Sequence, residues 1–292
     1  MTTHAEREIF SQPEMWSRAQ EMSAGFSGSL PQRGERVVFV GCGTSWFVSM
    51  VAAARREELG LGESDAFTAS EFPLGRQYDR VVAISRSGTT TEVHDLLQSL
   101  QGVKTIAITA VADSPIARAA EETIVLNFAD EESVLQTRYA TTVLALLRAH
   151  YGEDLGSCIT QGQAMLELQI PEPILTAEQI TFLGTGWSIG IAHEAALKTR
   201  ESSQFWAEAY PAMDYRHGPI SIAQPGRVVW FFGEPPAQLV EDVESRGAFV
   251  EVRNVDPMAH LVLAQRAALK ISEARGLDPD NPRGLARSII LS

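Results

Sequence analysis

The sequence reads as an α/β protein of two doubly wound parallel sheets flanked by helices, and three features of the chain say so. Short Val- and Ile-rich runs alternate with longer stretches in which Ala, Leu, Glu and Arg recur at helical spacing. The alternation runs through the first half and starts again in the second, the pattern of layered α/β units. A turn of glycines and hydroxyls, Gly41-Cys42-Gly43-Thr44-Ser45, is echoed by Gly184-Thr185-Gly186-Trp187-Ser188, which points to duplication of one unit.

In the first half Arg36–Val40, Arg80–Ile84, Lys104–Ile108 and Thr123–Leu126 are continuous apolar runs, the signature of parallel strands buried on both faces. Ser45–Leu59, Thr89–Leu100 and Ser133–Tyr151 carry the helical period between and after them. In the second half Gln179–Leu183, Val228–Phe232 and Ala248–Val252 read as strands, and Ser188–Phe205, Ala237–Arg246 and His260–Arg275 as helices. The Pro-containing stretch Ile170–Ile174 lies between the halves, and the tail Gly276–Ser292 has no helical period and is expected to pack as an extended segment. At 292 residues the chain exceeds the usual single-domain size. The expected division is 1–155, with an N-terminal helix, and 156–292, with the C-terminal tail.

Composition narrows the function. With 45% hydrophobic and 21% charged residues, and no apolar run near the roughly 20 residues of a membrane span, the expectation is a soluble protein with no membrane partner. The start, Met-Thr-Thr-His, has neither the basic region nor the apolar stretch of a secretory signal, so cytoplasm is expected. Thirty-seven acidic against twenty-four basic residues give a net charge of −13, which argues against a nucleic-acid partner. Two cysteines without metal-ligand spacing, Cys42 and Cys158, indicate neither a zinc site nor a disulfide framework.

An anionic ligand of so acidic a chain must be held by local N–H and O–H donors. Two strand ends offer them. Gly41 to Ser45 joins a strand to a helix through glycines that permit close backbone approach, and Thr44 or Ser45 can cap the helix and donate to an anion. Alone this is an ordinary turn, and a dinucleotide fingerprint is excluded because Phe47 and Val48 stand where the third glycine belongs. The second loop is more specific: Ser85-Arg86-Ser87-Gly88-Thr89-Thr90-Thr91 places five hydroxyls in seven residues at a helix mouth, a phosphate cradle without a Walker lysine.

Acid–base candidates follow in the second half. Glu194, Lys198 and Glu201 share one helical face at i, i+4 and i+7, a pattern that a solvated ion pair would also explain. His217 sits in Tyr215-Arg216-His217-Gly218-Pro219, a polar turn suited to a group that moves protons near neutral pH.

Taken in order, these motifs resemble the sugar-isomerase (SIS) family, in particular the isomerase half of glucosamine-6-phosphate synthase and stand-alone galactosamine-6-phosphate deaminase/isomerases. The resemblance runs from Glu8-Ile9-Phe10-Ser11-Gln12-Pro13 through Cys42–Ser45, Ser85–Thr90, Ala196–Glu201 and Glu208–Pro219 to Asp280-Asn281-Pro282-Arg283-Gly284-Leu285-Ala286-Arg287-Ser288. It implies two tandem SIS domains and a phosphosugar aldose–ketose isomerase or amino-sugar-phosphate deaminase that works on a hexose or hexosamine 6-phosphate through an enediol or enolamine. By the same resemblance Thr44, Ser45, Ser85, Ser87 and Thr90 hold the phosphate and the hydroxyls of the open chain. Glu201 carries the proton between C1 and C2, Lys198 stabilises charge on the substrate oxygen, and His217 opens the ring from the neighbouring subunit of a homodimer. Neither metal nor organic cofactor is implied.

Three departures qualify this. The chain opens without an N-terminal nucleophilic cysteine, so the expected chemistry does not draw nitrogen from glutamine. Arg287 stands where the synthase has a tail lysine, and a guanidinium cannot form a Schiff base, which leaves it a clamp role at the substrate. Gln136 replaces a small hydroxyl residue, closer to the deaminase/isomerase branch, and implies different sugar contacts. The rival reading is a non-catalytic regulatory protein that senses a sugar phosphate; the trio Lys198, Glu201 and His217 favours the enzyme.

Overall fold

The computed structural model describes residues 2–291; the outermost residues of the two expected domains, Met1 and Ser292, lie outside the described residues. Nine strands, β1 Val37–Gly41, β2 Ser64–Thr68, β3 Arg80–Ile84, β4 Lys104–Thr109, β5 Glu122–Val125, β6 Gln179–Gly184, β7 Ala207–Pro211, β8 Arg227–Phe232 and β9 Phe249–Glu251, form two sheets among the described residues. The helices are α1 His4–Phe10, α2 Gln12–Met22, α3 Thr44–Glu58, α4 Thr91–Ser99, α5 Pro115–Ala119, α6 Arg138–His150, α7 Gly156–Glu167, α8 Glu172–Leu175, α9 Ser188–Ser203, α10 Leu239–Glu244 and α11 Pro257–Ala274.

The chain divides into two compact units. One comprises residues 14–132, 136–156 and 286–291 and contains the first sheet; the other comprises residues 2–13, 133–135 and 157–285 and contains the second. Relative to a division at 155/156, each unit thus takes one end of the chain from the opposite half. The reason for one exchange is visible in hydrogen bonds: the Asp280 carboxylate accepts from the amides of His4 and Ala5, which fastens the start of α1 to the tail of its own unit.

The first sheet is parallel throughout, in the order β2-β1-β3-β4-β5. Val37 to Val40 and Val81 to Ala83 are fully buried. Continuous apolar runs are what a strand covered on both faces requires, and each such side chain contributes about 1.5–3 kcal/mol when taken from water. β2, with only Ala66 and Phe67 apolar and every residue half-buried, is the edge strand that periodicity missed. The order reverses between β1 and β3, so their carboxyl ends open the crevice in which open α/β sheets bind ligands.

The second sheet repeats the scheme with four parallel strands, β7-β6-β8-β9, reversing between β6 and β8. Its edge strand β7 was legible only as part of a polar motif, because Glu208 and Pro211 interrupt any apolar run.

One expected boundary moves substantially. The helix expected from Ser133 begins at Arg138, because the buried Glu131 carboxylate accepts from the amides of Thr137 and Arg138 at 2.6 and 2.7 Å and closes the helix start there. Gln136 therefore lies in a loop.

Candidate functional site

The expected site residues fall into two groups, one in each unit. In the first unit, β1 ends at Gly41, where a Cβ would lie 2.6 Å from the Ser45 carbonyl carbon, so only glycine lets the helix start pack on the strand end. Gly43 follows at φ 55° and is itself the N-cap of α3. Thr44 and Ser45 are consequently the first two helical residues, buried, and not caps as expected; the positive φ of Gly43 brings the chain into the helix one residue early.

After β3 the hydroxyl loop turns at Gly88, at φ 66°, where a Cβ would meet the Ser114 hydroxyl at 2.1 Å. The Ser85 hydroxyl accepts from the Gly88 amide at 3.2 Å and lies 3.4 Å from the Thr90 hydroxyl. Ser87 Oγ accepts twice, from the Thr89 amide at 3.2 Å and the Thr89 hydroxyl at 3.0 Å. An oxygen that accepts twice keeps its own proton to give, so Ser87 is set up as a donor. Thr90 is the N-cap of α4 but makes no side-chain cap bond, which leaves its hydroxyl to Ser85 and to Ser288, 3.5 Å away. Ser85, Ser87 and Thr90 are thus brought together. In the neighbouring loop the Gln136 Oε1 is buried without a hydrogen-bond partner.

Arg287 belongs to the same unit, but its guanidinium is engaged by its own chain: it pairs with the Asp130 carboxylate and donates to the Glu131 carbonyl. Sequence reasoning missed the group next to it. Arg86 and Glu131, with side chains 2% and 0% exposed, form a buried ion pair at 3.0 Å. The signal was present as an arginine inside an otherwise neutral hydroxyl loop.

In the second unit α9 carries Glu194, Lys198 and Glu201. Lys198 Nζ lies 2.5 Å from Glu201 Oε2 and 3.6 Å from Glu194 Oε1. This is not a solvated pair: the Lys198 side chain is 1% exposed, Glu194 4% and Glu201 20%. Burying an ammonium is costly unless carboxylates compensate it, and here one carboxylate is buried while the other keeps an accessible edge. Glu201 borders a cavity of about 170 Å³ with Ser202, Gln204, Asp278, Asn281 and Arg283. His217 is the exposed last residue of the turn Asp214–His217, in which Tyr215 is buried, and it precedes Gly218 at φ 138°.

The turn after β6 repeats the backbone of the turn after β1: a Cβ at Gly184 would sit 2.4 Å from the Ser188 carbonyl oxygen, and Gly186 has φ 57°. Its hydroxyl is occupied. Ser188 Oγ accepts from the Thr185 amide at 2.9 Å and faces the carbonyls of Thr185 and Phe232 at 2.9 and 2.8 Å.

Among the described residues no His, Cys, Asp and Glu cluster of metal-binding size occurs, and no helix is long and apolar enough to cross a membrane. Cys42 is half-buried and Cys158 buried, and neither is in a disulfide; burial raises the Cys42 pKa.

A parallel sheet whose switch point carries a cluster of serine and threonine hydroxyls defines a class, and residues 30–150 match the SIS domain. Over 296 residues it is 28% identical to a glutamine–fructose-6-phosphate aminotransferase (isomerizing) of Sulfurisphaera tokodaii, an alignment covering 87% of this chain and 50% of that one. The chain spans about half the length of the curated relatives it matches. Its fold is similar to a glucosamine-6-phosphate deaminase from Thermotoga maritima, with TM-score 0.80 and 24% identity over 99% of this chain and 100% of that one. It is also similar to the C-terminal domain of glucosamine-fructose-6-phosphate aminotransferase from Francisella tularensis, with TM-score 0.84 and 22% identity over 96 and 99% of the two chains.

Proposed function

We propose that the protein is a phosphosugar aldose–ketose isomerase or amino-sugar-phosphate deaminase, built from two tandem SIS domains, 1–155 and 156–292, and acting on a hexose or hexosamine 6-phosphate. The observation that carries this reading is Lys198, buried on α9 in contact with Glu201, whose carboxylate keeps an accessible edge. A phosphate sensor needs no buried lysine paired with a solvent-reachable carboxylate; proton transfer at carbon needs a base and a cation beside it.

In this reading Ser85, Ser87 and Thr90 donate to the phosphate, with Thr44, Ser45 and Gln136 contributing sugar contacts. Glu201 removes the C2 proton of the open-chain aldose and returns it at C1. Lys198 stabilises the negative charge that develops on the carbonyl oxygen as the enediol or enolamine forms, the role of an oxyanion donor. For a 2-amino sugar, protonation at C1 gives an imine at C2, which water hydrolyses to the ketose phosphate and ammonia. His217 performs ring opening, lent by the partner in a homodimer; its exposure suits a residue that serves another subunit. Arg287, engaged by Asp130 and Glu131, acts on its own chain in this reading, and its expected clamp role at the substrate is dropped.

The test is incubation with fructose 6-phosphate, glucosamine 6-phosphate and galactosamine 6-phosphate in deuterated water. NMR should show deuterium at C1 or C2 of one of them, with ammonia released if the substrate is the amino sugar. A protein that binds a sugar phosphate, read by a rise in melting temperature, yet neither exchanges nor converts any of the three is a sensor, and the enzyme reading falls.

A further inference from the structure

Five charged side chains cluster beside the hydroxyl loop of the first unit, and the reading just given uses none of them at the substrate. Arg86 Nη1 donates to Glu131 Oε2 at 3.0 Å and Arg86 Nη2 reaches the Arg287 carbonyl at 3.5 Å. The other Glu131 oxygen accepts from the Thr137 amide, the Thr137 hydroxyl at 3.1 Å and the Arg138 amide. Arg138 donates to the Asp130 carbonyl, and Arg287 grips the Asp130 carboxylate and the Glu131 carbonyl. Glu131 is therefore joined to three segments at once: the hydroxyl loop, the start of α6 and the tail.

Beyond this clasp the tail lies on the mouth of α4. The Thr91 amide donates to the Ile289 carbonyl at 3.2 Å, and the Leu291 amide to the Thr91 hydroxyl at 2.9 Å. Ser288 Oγ stands 3.5 Å from Thr90 Oγ1. Ile289, Ile290 and Leu291 are themselves 50, 71 and 58% exposed, so apolar burial does little to hold the segment. What fixes it is polar: Thr90 and Thr91 hold residues 288–291, and Arg287, whose carbonyl Arg86 reaches, ties the tail to Asp130 and Glu131. A buried ion pair is a poor source of stability compared with apolar packing, but it enforces one geometry because breaking it leaves a charge without compensation.

We propose that Arg86 and Glu131 are positioning residues: their buried pair, together with Arg287, fixes the tail on the hydroxyl loop and thereby sets where Ser87 and Thr90 present their donors. Its consequence for ligand affinity rests on the sugar-phosphate reading above; its consequence for the tail does not.

Two readouts separate these. The first is limited trypsin digestion at 20 °C, with cleavage after Arg287 compared by mass spectrometry with cleavage after the exposed Arg283 in the same sample. In Glu131→Gln and in Arg86→Gln the ratio of the Arg287 cut to the Arg283 cut should rise at least tenfold, and Arg86→Lys should restore part of the protection. The second is calorimetric titration with glucosamine 6-phosphate, whose affinity should weaken by about tenfold in the same two variants while they remain folded. A residue that merely supported the fold would lower the melting temperature and leave both readouts unchanged below it.

An unchanged cleavage ratio in folded variants overturns the proposal. A raised ratio with unchanged affinity overturns the positioning role and leaves only a tail anchor. If the wild type binds no sugar phosphate while the ratio rises, the clasp stands and the proposed function fails. Should the buried-pair variants not fold, Asp130→Asn, at a half-exposed position, takes away the charge that Arg287 pairs with, at an oxygen that also accepts from the Glu131 amide, and must raise the ratio; no rise overturns the clasp.

Discussion

The turn after β1 and the turn after β6 share a backbone and differ in what their hydroxyls do. Each has a strand-end glycine on which the helix start rests, and two residues later a glycine near φ 55°. Each lies where its sheet reverses order, the position at which open α/β sheets bind ligands. In the first unit the partner strand β3 brings a loop with five hydroxyls, and Ser87 retains a proton to donate. In the second unit the partner strand β8 ends in Phe231 and Phe232, and the Ser188 hydroxyl bridges the two strand ends internally. One switch point keeps hydroxyls free to donate; the other is closed on itself, and in the proposed function the chemistry of that unit belongs to Lys198 and Glu201 on α9. Topology supplies the place, and side chains decide whether anything binds there.

The largest effect that sharpens this contrast is on catalysis. Glu201→Gln keeps the volume of the side chain and removes the base, so turnover and solvent exchange should fall by about 10²–10⁴ while sugar-phosphate affinity stays within a few fold. Glu194→Gln should do much less, since Glu194 is buried and lies 3.6 Å from Lys198 against 2.5 Å for Glu201. Deuterium incorporation measured by NMR checks both. Wild-type exchange in Glu201→Gln would show that the second unit does its chemistry elsewhere.

Next in size is the loss of a cradle donor. Ser87→Ala and Thr90→Ala each remove a neutral donor to a dianion, worth roughly 1.5–3 kcal/mol, so affinity for the sugar phosphate should drop by about one to two orders of magnitude. Affinity for the unphosphorylated sugar should not move. Calorimetric titration with both ligands reads the difference, and equal losses for both would remove phosphate from the loop.

Much of this contrast was legible in the sequence, for physical reasons that also explain the gaps. β1, β3, β4, β6 and β8 are buried on both faces, so their composition announces them; β2 and β7 are half-buried edges whose polar residues hide the period. The repeated glycine turn showed as a repeat because no other residue tolerates that packing. Ser85 to Thr90 stood out because hydroxyl density needs no tertiary information. The burial of Lys198 could not be read, since i, i+4 spacing is the same on a wet face as on a dry one. Nor could the engagement of Arg287 or the Arg86–Glu131 pair, which join residues 45 and more positions apart.

The two units should also answer acid differently. Burial among Trp230 and Phe232 depresses the His260 pKa, outweighing the help of Glu251, which itself pairs with Arg253. As pH falls below the ordinary imidazole value the unfolded chain takes up this proton first, so the second unit loses stability from about 6.5 downward. In the first unit burial alone would raise the Glu153 pKa, but hydrogen bonds from Arg55 and Arg148 pull it below the ordinary carboxylate value. That contribution is complete above about 4.5 and is lost only as pH falls further. Hydrogen exchange at pH 7, 5.5 and 4 should show the second unit opening first. A first unit that loosens between 7 and 5.5 while the second holds would reverse the assignment.

The smallest expected effect is the one that would break the comparison. Ser188→Ala removes the hydroxyl that closes the second switch point and leaves the Thr185 amide and the Phe232 carbonyl without that partner. The cost should be about 1–3 kcal/mol in stability, read as a lower denaturation midpoint, because two backbone groups lose a hydrogen bond. Sugar-phosphate affinity should be unchanged, since a hydroxyl already committed to the strand ends has nothing to give an anion. The same substitution at Ser87 should produce the opposite profile, little change in midpoint and a large loss of affinity. Each serine thus serves as the control for the other. If Ser188→Ala weakened the phosphate ester as much as Ser87→Ala does, both turns would be anion sites and the division between a binding unit and a chemical unit would not hold.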